Sequence, residues 1–455
     1  MIHETKGAER ERGAVLVMSI IILFLATAAG VILLRLAQVE TTNNVSDRRS
    51  KQAFYMAEGA IERGRDDLRI YRTANKSISV VGKLQDVAGT NGTINAIDAA
   101  AIGVTFDSSG VPTALTGLGD DQPLRGITAY GSGWYATVMT NDLAESGGRA
   151  TANTDSNKRV MLIGVGIGPD RSLETVEAVV DTGPDMPTPP ATITMLGDAP
   201  HFDAGSSGSK YYYGDDCRGL GLAGYPPGLG SFDVVGVTTD AALAVVDADI
   251  LAMSTSKQED INTGSAGYDG PLRTGTGTTE NITVSNPWYA AYPEFQDCTK
   301  MVALAEQVRQ MADRIIPAPS TGTVRLTGDL GTEEVPRIIY CEGNCALRAP
   351  AVGYGVLFVR GDLTFDGQIE WYGQVYVVGA GTLYRQGAGG GDVYGSIIIA
   401  NTVDDACTGT STGGFGVGAQ YDMSGGGNST TGYCSYYNKL AWVGSPVNLK
   451  SFRQY

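Results

Sequence analysis

The sequence predicts an α+β protein: one long N-terminal helix that crosses a membrane, then an antiparallel sheet, then a larger β-rich region. Three observations carry this expectation. Ala14 to Leu34 are 21 residues without a charge, long enough to cross a hydrocarbon core of about 30 Å as a helix rising about 1.5 Å per residue. The helical pattern then continues through polar sequence to about Tyr71, with Leu36, Val39, Phe54, Ala57, Ile61 and Leu68 on one face. Downstream, 62 glycines accompany many short Val, Ile, Thr and Tyr runs, the composition of strands joined by tight turns.

The long helix over residues 14–72 is expected to reach on the order of 85 Å, with the membrane segment at 14–34. Residues 1–13 precede it with alternating charges, Glu9, Arg10, Glu11 and Arg12, and the basic residues keep this end at the cytoplasmic face. Residues 73–182 are expected to form a globular β domain. Its first part, 73–130, is rich in Gly, Asn, Thr and Ser and reads as a variable loop region with short strands. Strands are predicted at 133–139, 159–166 and 172–180, the last with clean alternation. GPDMPTPP, Gly183 to Pro190, has four prolines in seven residues and reads as an extended linker between domains.

Residues 191–455 are expected to form a second, β-rich domain. One amphipathic helix is predicted over 298–316, with Met301, Leu304, Ala305, Val308, Met311, Ala312 and Ile315 on a stripe and Pro317 as its stop. From Thr323 an internal repeat emerges: TVRLTGDL resembles the end of GVLFVRGDLTFDG. Apolar strands starting near 356, 374 and 396 are 18 and 22 residues apart. That spacing predicts a β-solenoid, with Gly361-Asp362 and Asp366-Gly367 at corners. A β-sandwich with hairpins is the competing architecture.

ERGAVLVMSIIILFLATAAGVILLRLAQVE, followed by RRSKQAFYMAEGAIERG with Ala53, Ala57 and Ala60 in an AxxA-type segment, resembles the N-terminus of PilX-type minor pilins of type IV pili. It is also similar to the K-type pseudopilins of type II secretion. The likeness covers roughly residues 8 to 64. It implies cleavage by a prepilin peptidase after Gly13, methylation of Ala14, and assembly with other pilins through the N-terminal helix. A large tip adhesin is a further implied partner. Most major pilins carry a Glu at the fifth mature position, where this chain has Met18. Members lacking that carboxylate resemble tip or initiation components, so Met18 implies a tip subunit; a lipid-facing Met is the plainer reading. Arg35 closes the uncharged run. The implied location is the inner membrane as a single pass with the C-terminal part in the periplasm, then the pilus tip or cell surface.

Chemistry-bearing motifs are few. A net charge of −16 argues against a phosphate-binding, nucleic-acid surface. Gly219 to Gly224 fits G-x-G-x-x-G, but Tyr225-Pro226-Pro227 follows and forbids the helix that a dinucleotide site needs. Arg360-Gly361-Asp362 reads as a strand corner. His201 is the single histidine after Gly13, with no G-x-S-x-G elbow for a triad and no matching Cys/His set for zinc. Asp215-Asp216, Asp247 with Asp249, and Asp404-Asp405 read as solvated turns. No catalytic residue, cofactor or metal is expected. The six cysteines, Cys217, Cys298, Cys341, Cys345, Cys407 and Cys434, are disulfide candidates in an exported region. Spacing favours Cys407–Cys434 around a 26-residue Gly/Ser/Thr loop, Cys341–Cys345 across one turn, and Cys217–Cys298 by remainder; six cysteines allow 15 connectivities. The expected function is that of a minor pilin at the tip or in assembly initiation, without catalysis. A membrane-anchored surface binding protein, a secretion pseudopilin and an anchored polysaccharide-active enzyme are the alternatives.

Overall fold

The computed structural model describes residues 6–75, 79–90, 92–142, 158–182, 189–205, 209–222, 233–262, 279–281, 293–387, 391–402, 406–410 and 412–454. It is an α+β fold. A single helix, Lys6–Asn75, runs for 70 residues, about 105 Å. It begins inside the segment read as a leader and ends four residues beyond Tyr71.

The N-terminal sheet is antiparallel. After the short pair β1 (Gly103–Phe106) and β2 (Pro112–Thr116) come β3 (Arg125–Tyr130), β4 (Gly133–Asn141), β5 (Arg159–Ile167) and β6 (Leu173–Asp181). Strands β3 to β6 lie in sequence order. The alternation read in 172–180 implies a wet face, yet both faces are covered. One takes Ala57, Ile61 and Leu68 of the long helix, packed with Met139, Leu162, Val176 and Ala178. The other takes Ile97, Ala99, Ile102 and Leu118 against Ala136, Val138, Ile163 and Val165. Within 73–130, expected as a loop region with short strands, residues 97–118 thus cover the second face, while a helix at Val81–Val87 packs beside the long helix on the first through Leu84 and Val87. That double cover explains why eight of nine residues in β5 are buried.

The C-terminal region adds β7 (Ala191–Leu196), β8 (His201–Asp203), β9 (Lys210–Tyr213), β10 (Asp233–Val237), β11 (Ile261–Asn262), β12 (Thr279–Asn281), β13 (Arg314–Ile316), β14 (Val324–Leu326), β15 (Arg337–Cys341), β16 (Cys345–Arg348), β17 (Ala351–Val359), β18 (Leu363–Asp366), β19 (Ile369–Gly379), β20 (Thr382–Gln386), β21 (Gly391–Asn401), β22 (Gln420–Asp422) and β23 (Ser429–Tyr433). From β13 the chain alternates between two sheets. Strands β13, β15, β17, β19 and β21 are neighbours in one; β14, β16, β18, β20 and β22 are neighbours in the other. Among the described residues every pairing in these two sheets is parallel, so the chain makes no hairpins there. The spacings of 18 and 22 read from the sequence reappear as register: Gly355 pairs with Gly373, and Gly373 with Gly395. All three glycines have φ between 122° and 147°, and a Cβ on Gly373 or Gly395 would collide with the carbonyl of the glycine one level before it. Only glycine fits that column.

Leu357, Val375, Ile397, Leu363, Phe365 and Leu383 fill the space between the two sheets. On the outer side of the first sheet, Tyr340, Phe358 and Tyr376 stack at 5.4 and 5.2 Å. The helix Cys298–Met311 covers them with Met301, Leu304, Ala305 and Val308.

Four expectations are corrected. The amphipathic helix stops at Met311, not 316, because Ala312 turns extended and Arg314–Ile316 pairs with β15; Ile315 is therefore 43% exposed. TVRLTGDL is not level with GVLFV: Val324–Leu326 aligns with β16 and, through it, with Leu363–Phe365 in the second sheet. Both strand types end before Gly-Asp, which is what misled the alignment. The final strand, β24 (Asn448–Gln454), leaves the 191–455 unit and pairs antiparallel with β6 of the N-terminal sheet. Lastly, two cysteine pairings differ, as described below. The linker Gly183 to Pro190 falls largely outside the described residues, which omit 183–188.

Candidate functional site

The long helix has two halves with different environments. Leu16–Thr41 is apolar and long enough to cross a bilayer, and none of it is buried in the fold. Met18 is 63% exposed, and Arg35 is exposed at the end of the uncharged run. Gly13 and Ala14 lie within the same continuous helix, just before this stretch.

From Ser50 onward the helix docks on the sheet, and small residues set the distance. Ala53, Ala57 and Ala60 are fully buried. Facing them are Gly164 and Gly166 of β5. A Cβ on Gly164 would overlap the Ala57 carbonyl, and one on Gly166 the Ala53 carbonyl. Thr137 of β4 donates its hydroxyl to the Ala60 carbonyl at 2.8 Å. The AxxA-type segment is therefore the seam where helix backbone meets sheet backbone. At its sides Arg125 donates to Asp67, with Nε at 2.8 Å, and Arg65 donates to the Val447 carbonyl at 2.7 Å.

A lock at the end of the helix has no counterpart among the sequence motifs. Arg72 is fully buried. Its guanidinium donates to the carbonyls of Thr182, Val443 and Ser445 and to the Ser445 hydroxyl. Burial, with Arg69 nearby, lowers its pKa to about 10, so it stays charged at neutral pH. One side chain thus ties the helix to the end of β6 and to the segment entering β24. An arginine three residues after half-buried Arg69, on a polar stretch of helix, carries no sequence mark of such burial.

The six cysteines form three bridges. Cys341–Cys345 links the ends of β15 and β16, as spacing predicts. Cys217 pairs with Cys434, and Cys298 with Cys407, in place of Cys407–Cys434 and Cys217–Cys298. The reason is register. Strand β9 lies beside β23, with Tyr213 level with Gly432, so Cys217 and Cys434 emerge side by side, their Cα atoms 4.3 Å apart. Cys298 begins the helix laid over β21, next to the loop that carries Cys407.

No protein-family model, no curated protein and no solved structure matches the chain. The site must be read from its own residues. Asp216, Cys217 and Cys434 converge closely enough to suggest metal ligation, but the sulfurs are bonded to each other, and Asp216 accepts from the Ser435 amide at 2.7 Å and hydroxyl at 2.6 Å. Asp215 pairs with Arg218 at 3.2 Å. His201 is paired with Asp249 at 3.0 Å, and Asp249 also accepts from the Phe202 amide. Gly219 and Gly221 sit in a turn with positive φ, and Asp404-Asp405 and Gly224 fall outside the described residues. Arg360-Gly361-Asp362 is the corner between β17 and β18: Arg360 donates to the Tyr340 hydroxyl, and Asn344 accepts from the Asp362 amide.

Proposed function

We propose that this chain is a pilin-like subunit, inserted in the inner membrane by Leu16–Thr41 and processed after Gly13, that acts at the tip or in the initiation of a type IV pilus or related pseudopilus. One observation carries the reading. A single unbroken helix is uncovered and apolar in its first half and seated on an antiparallel sheet in its second. An apolar helix surface in water is costly, at about 25 cal/mol per Å², so that half needs lipid or other apolar helices around it. A membrane anchor alone would not require the rigid continuation that holds the β domain on its axis. In this reading a prepilin peptidase, other pilins and a tip adhesin are the partners, and the two parallel stacks form a solenoid-like display domain. Met18 leaves the fifth mature position without a carboxylate, which suits a terminal subunit with no preceding amino terminus to neutralise.

Immunogold labelling of the β13–β22 region on sheared filaments tests this. Label confined to filament ends is expected. Label along the whole shaft overturns the tip placement, and absence from filaments overturns the pilin-like reading.

A further inference from the structure

Two strand edges in the N-terminal domain border one groove, and among the described residues neither edge is paired across it. Strand β3 is the last of its sheet and pairs only with β4; β2 pairs only with β1. The two strands are neighbours in space without pairing, and a groove of about 530 Å³ runs between them. All five residues of β2 line it, with Gly126 and Ile127 of β3, and no residue of β1 does. A hollow on a sheet face would take alternate residues from both paired strands, so this one follows the free edge of β2. On the β3 side, a Cβ added to Gly126 would meet no atom within 4 Å.

The gap is held open. Consecutive antiparallel strands with a short connection usually close on each other, but the segment joining β2 to β3, residues 117–124, is tied elsewhere. The buried Asp121 carboxylate accepts from the amides of Gly89 at 3.0 Å and Asn95 at 2.7 Å, and the Gln122 amide donates to the Val87 carbonyl at 2.8 Å. Charge does not guard either edge. PTALT and RGITAY contain one charged residue, Arg125, and it is bound to Asp67. A free edge without charged side chains is a template for a further strand.

We propose that the groove receives an extended segment of another protein, which enters as a strand between β2 and β3 and joins their two sheets into one. Its backbone satisfies both edges at once. Its inner side chains meet Leu115 and Ile127, which are half-buried against the cluster of Ile102, Leu118 and Ala136, so Val, Ile or Leu suits every second position. Thr113, Ala114 and Gly126 are exposed, which suits small polar residues between them. With five residues in β2 and six in β3, the contact takes about five residues of the partner, roughly 17 Å. A second copy of this chain has no loose strand to give, because every described strand is already paired in a sheet. The two edges stand whether or not the chain is processed or assembles with pilins.

Hydrogen–deuterium exchange of the full-length chain in mild detergent tests this. The probe is a peptide of about seven alternating valines and threonines, flanked by lysines for solubility, at about 1 mM. A peptide of the same length alternating valine and proline, which lacks every second N–H, is the control. The first peptide is expected to slow exchange in both Pro112–Thr116 and Arg125–Tyr130 by about five-fold or more, and the control to leave it unchanged. Gly126→Trp, whose side chain starts in open space on the groove, is expected to abolish the effect while exchange in β5 stays as in the parent chain; if β5 exchange rises, the two peptides alone decide. Protection of one edge only, equal protection by the control, persistence in a folded Gly126→Trp chain, or no change with the peptide overturns the proposal. Protection of both edges without any peptide overturns it too: growth with protein concentration makes a second copy the occupant, and independence of concentration means the chain fills its own groove.

Discussion

Gly166→Ala is the sharpest probe of how the helix is held. Gly166 lies in a strand with ordinary backbone angles, so by local preference an added methyl should help, by roughly 0.5–1 kcal/mol. The fold opposes this. The new Cβ overlaps the Ala53 carbonyl and crowds the Ala57 amide, both backbone atoms of a helix also tied down at Arg72. Overpacking of this kind costs about 1–3 kcal/mol, so the sign reverses. Gly126→Ala in β3 is the matched control, because no atom lies within 4 Å of its Cβ position. Denaturant unfolding of the full chain in mild detergent, followed by near-ultraviolet circular dichroism, should place the two variants about 1–3 kcal/mol apart, since the local preference is common to both, with Gly166→Ala the weaker. Equal stability, or a gain at Gly166, would refute the claim that the helix and β5 backbones touch.

Further outcomes follow from the same contacts. Arg72→Met should destabilise by about 3 kcal/mol, since three buried carbonyls lose their donor, and limited proteolysis should then release β24 early. Non-reducing peptide mapping should recover Cys217–Cys434, Cys298–Cys407 and Cys341–Cys345; replacing the first pair by alanines should cost up to about 5 kcal/mol through chain entropy, given its 217-residue separation. Lys210 is buried, donates to the Met423 and Gly425 carbonyls, and burial lowers its pKa to about 8 from 10.5. Between those values the unfolded chain holds the proton and the folded one does not, so stability should rise as pH climbs from 8 towards 10. Above pH 10 it should fall, because Tyr421 is buried and pushed up to about 12. The rise should vanish in Lys210→Met, as read by chemical unfolding at each pH.

The sequence made some of this legible because the signal was local. An uncharged run, period-two strands and repeated Gly-Asp corners each depend on neighbours within a few residues. The apolar strands starting near 356, 374 and 396 could be aligned because one level of stacked strands repeats the chemistry of the last. What failed was non-local. The partner of Cys217 depends on β9 lying beside β23, which no spacing encodes. Strand β24 is short, polar and distant from β6, so its place was invisible until the fold returned it to the first sheet. The helix end at Met311 was missed because Ile315 continued an apolar stripe that the backbone had already abandoned. In the candidate site, Ala53, Ala57 and Ala60 were visible as a pattern, but Arg72 looked like one more surface cation.

The most direct test of the pilin-like account is the first residue of the mature chain. Intact mass and N-terminal sequencing of the protein extracted from membranes, with a prepilin peptidase co-expressed, should show Ala14 as the new terminus, and Gly13→Val should block the cut while leaving Leu16–Thr41 in the membrane. A chain that still begins at Met1 in the presence of the peptidase, or one cut beyond Leu34, would contradict it.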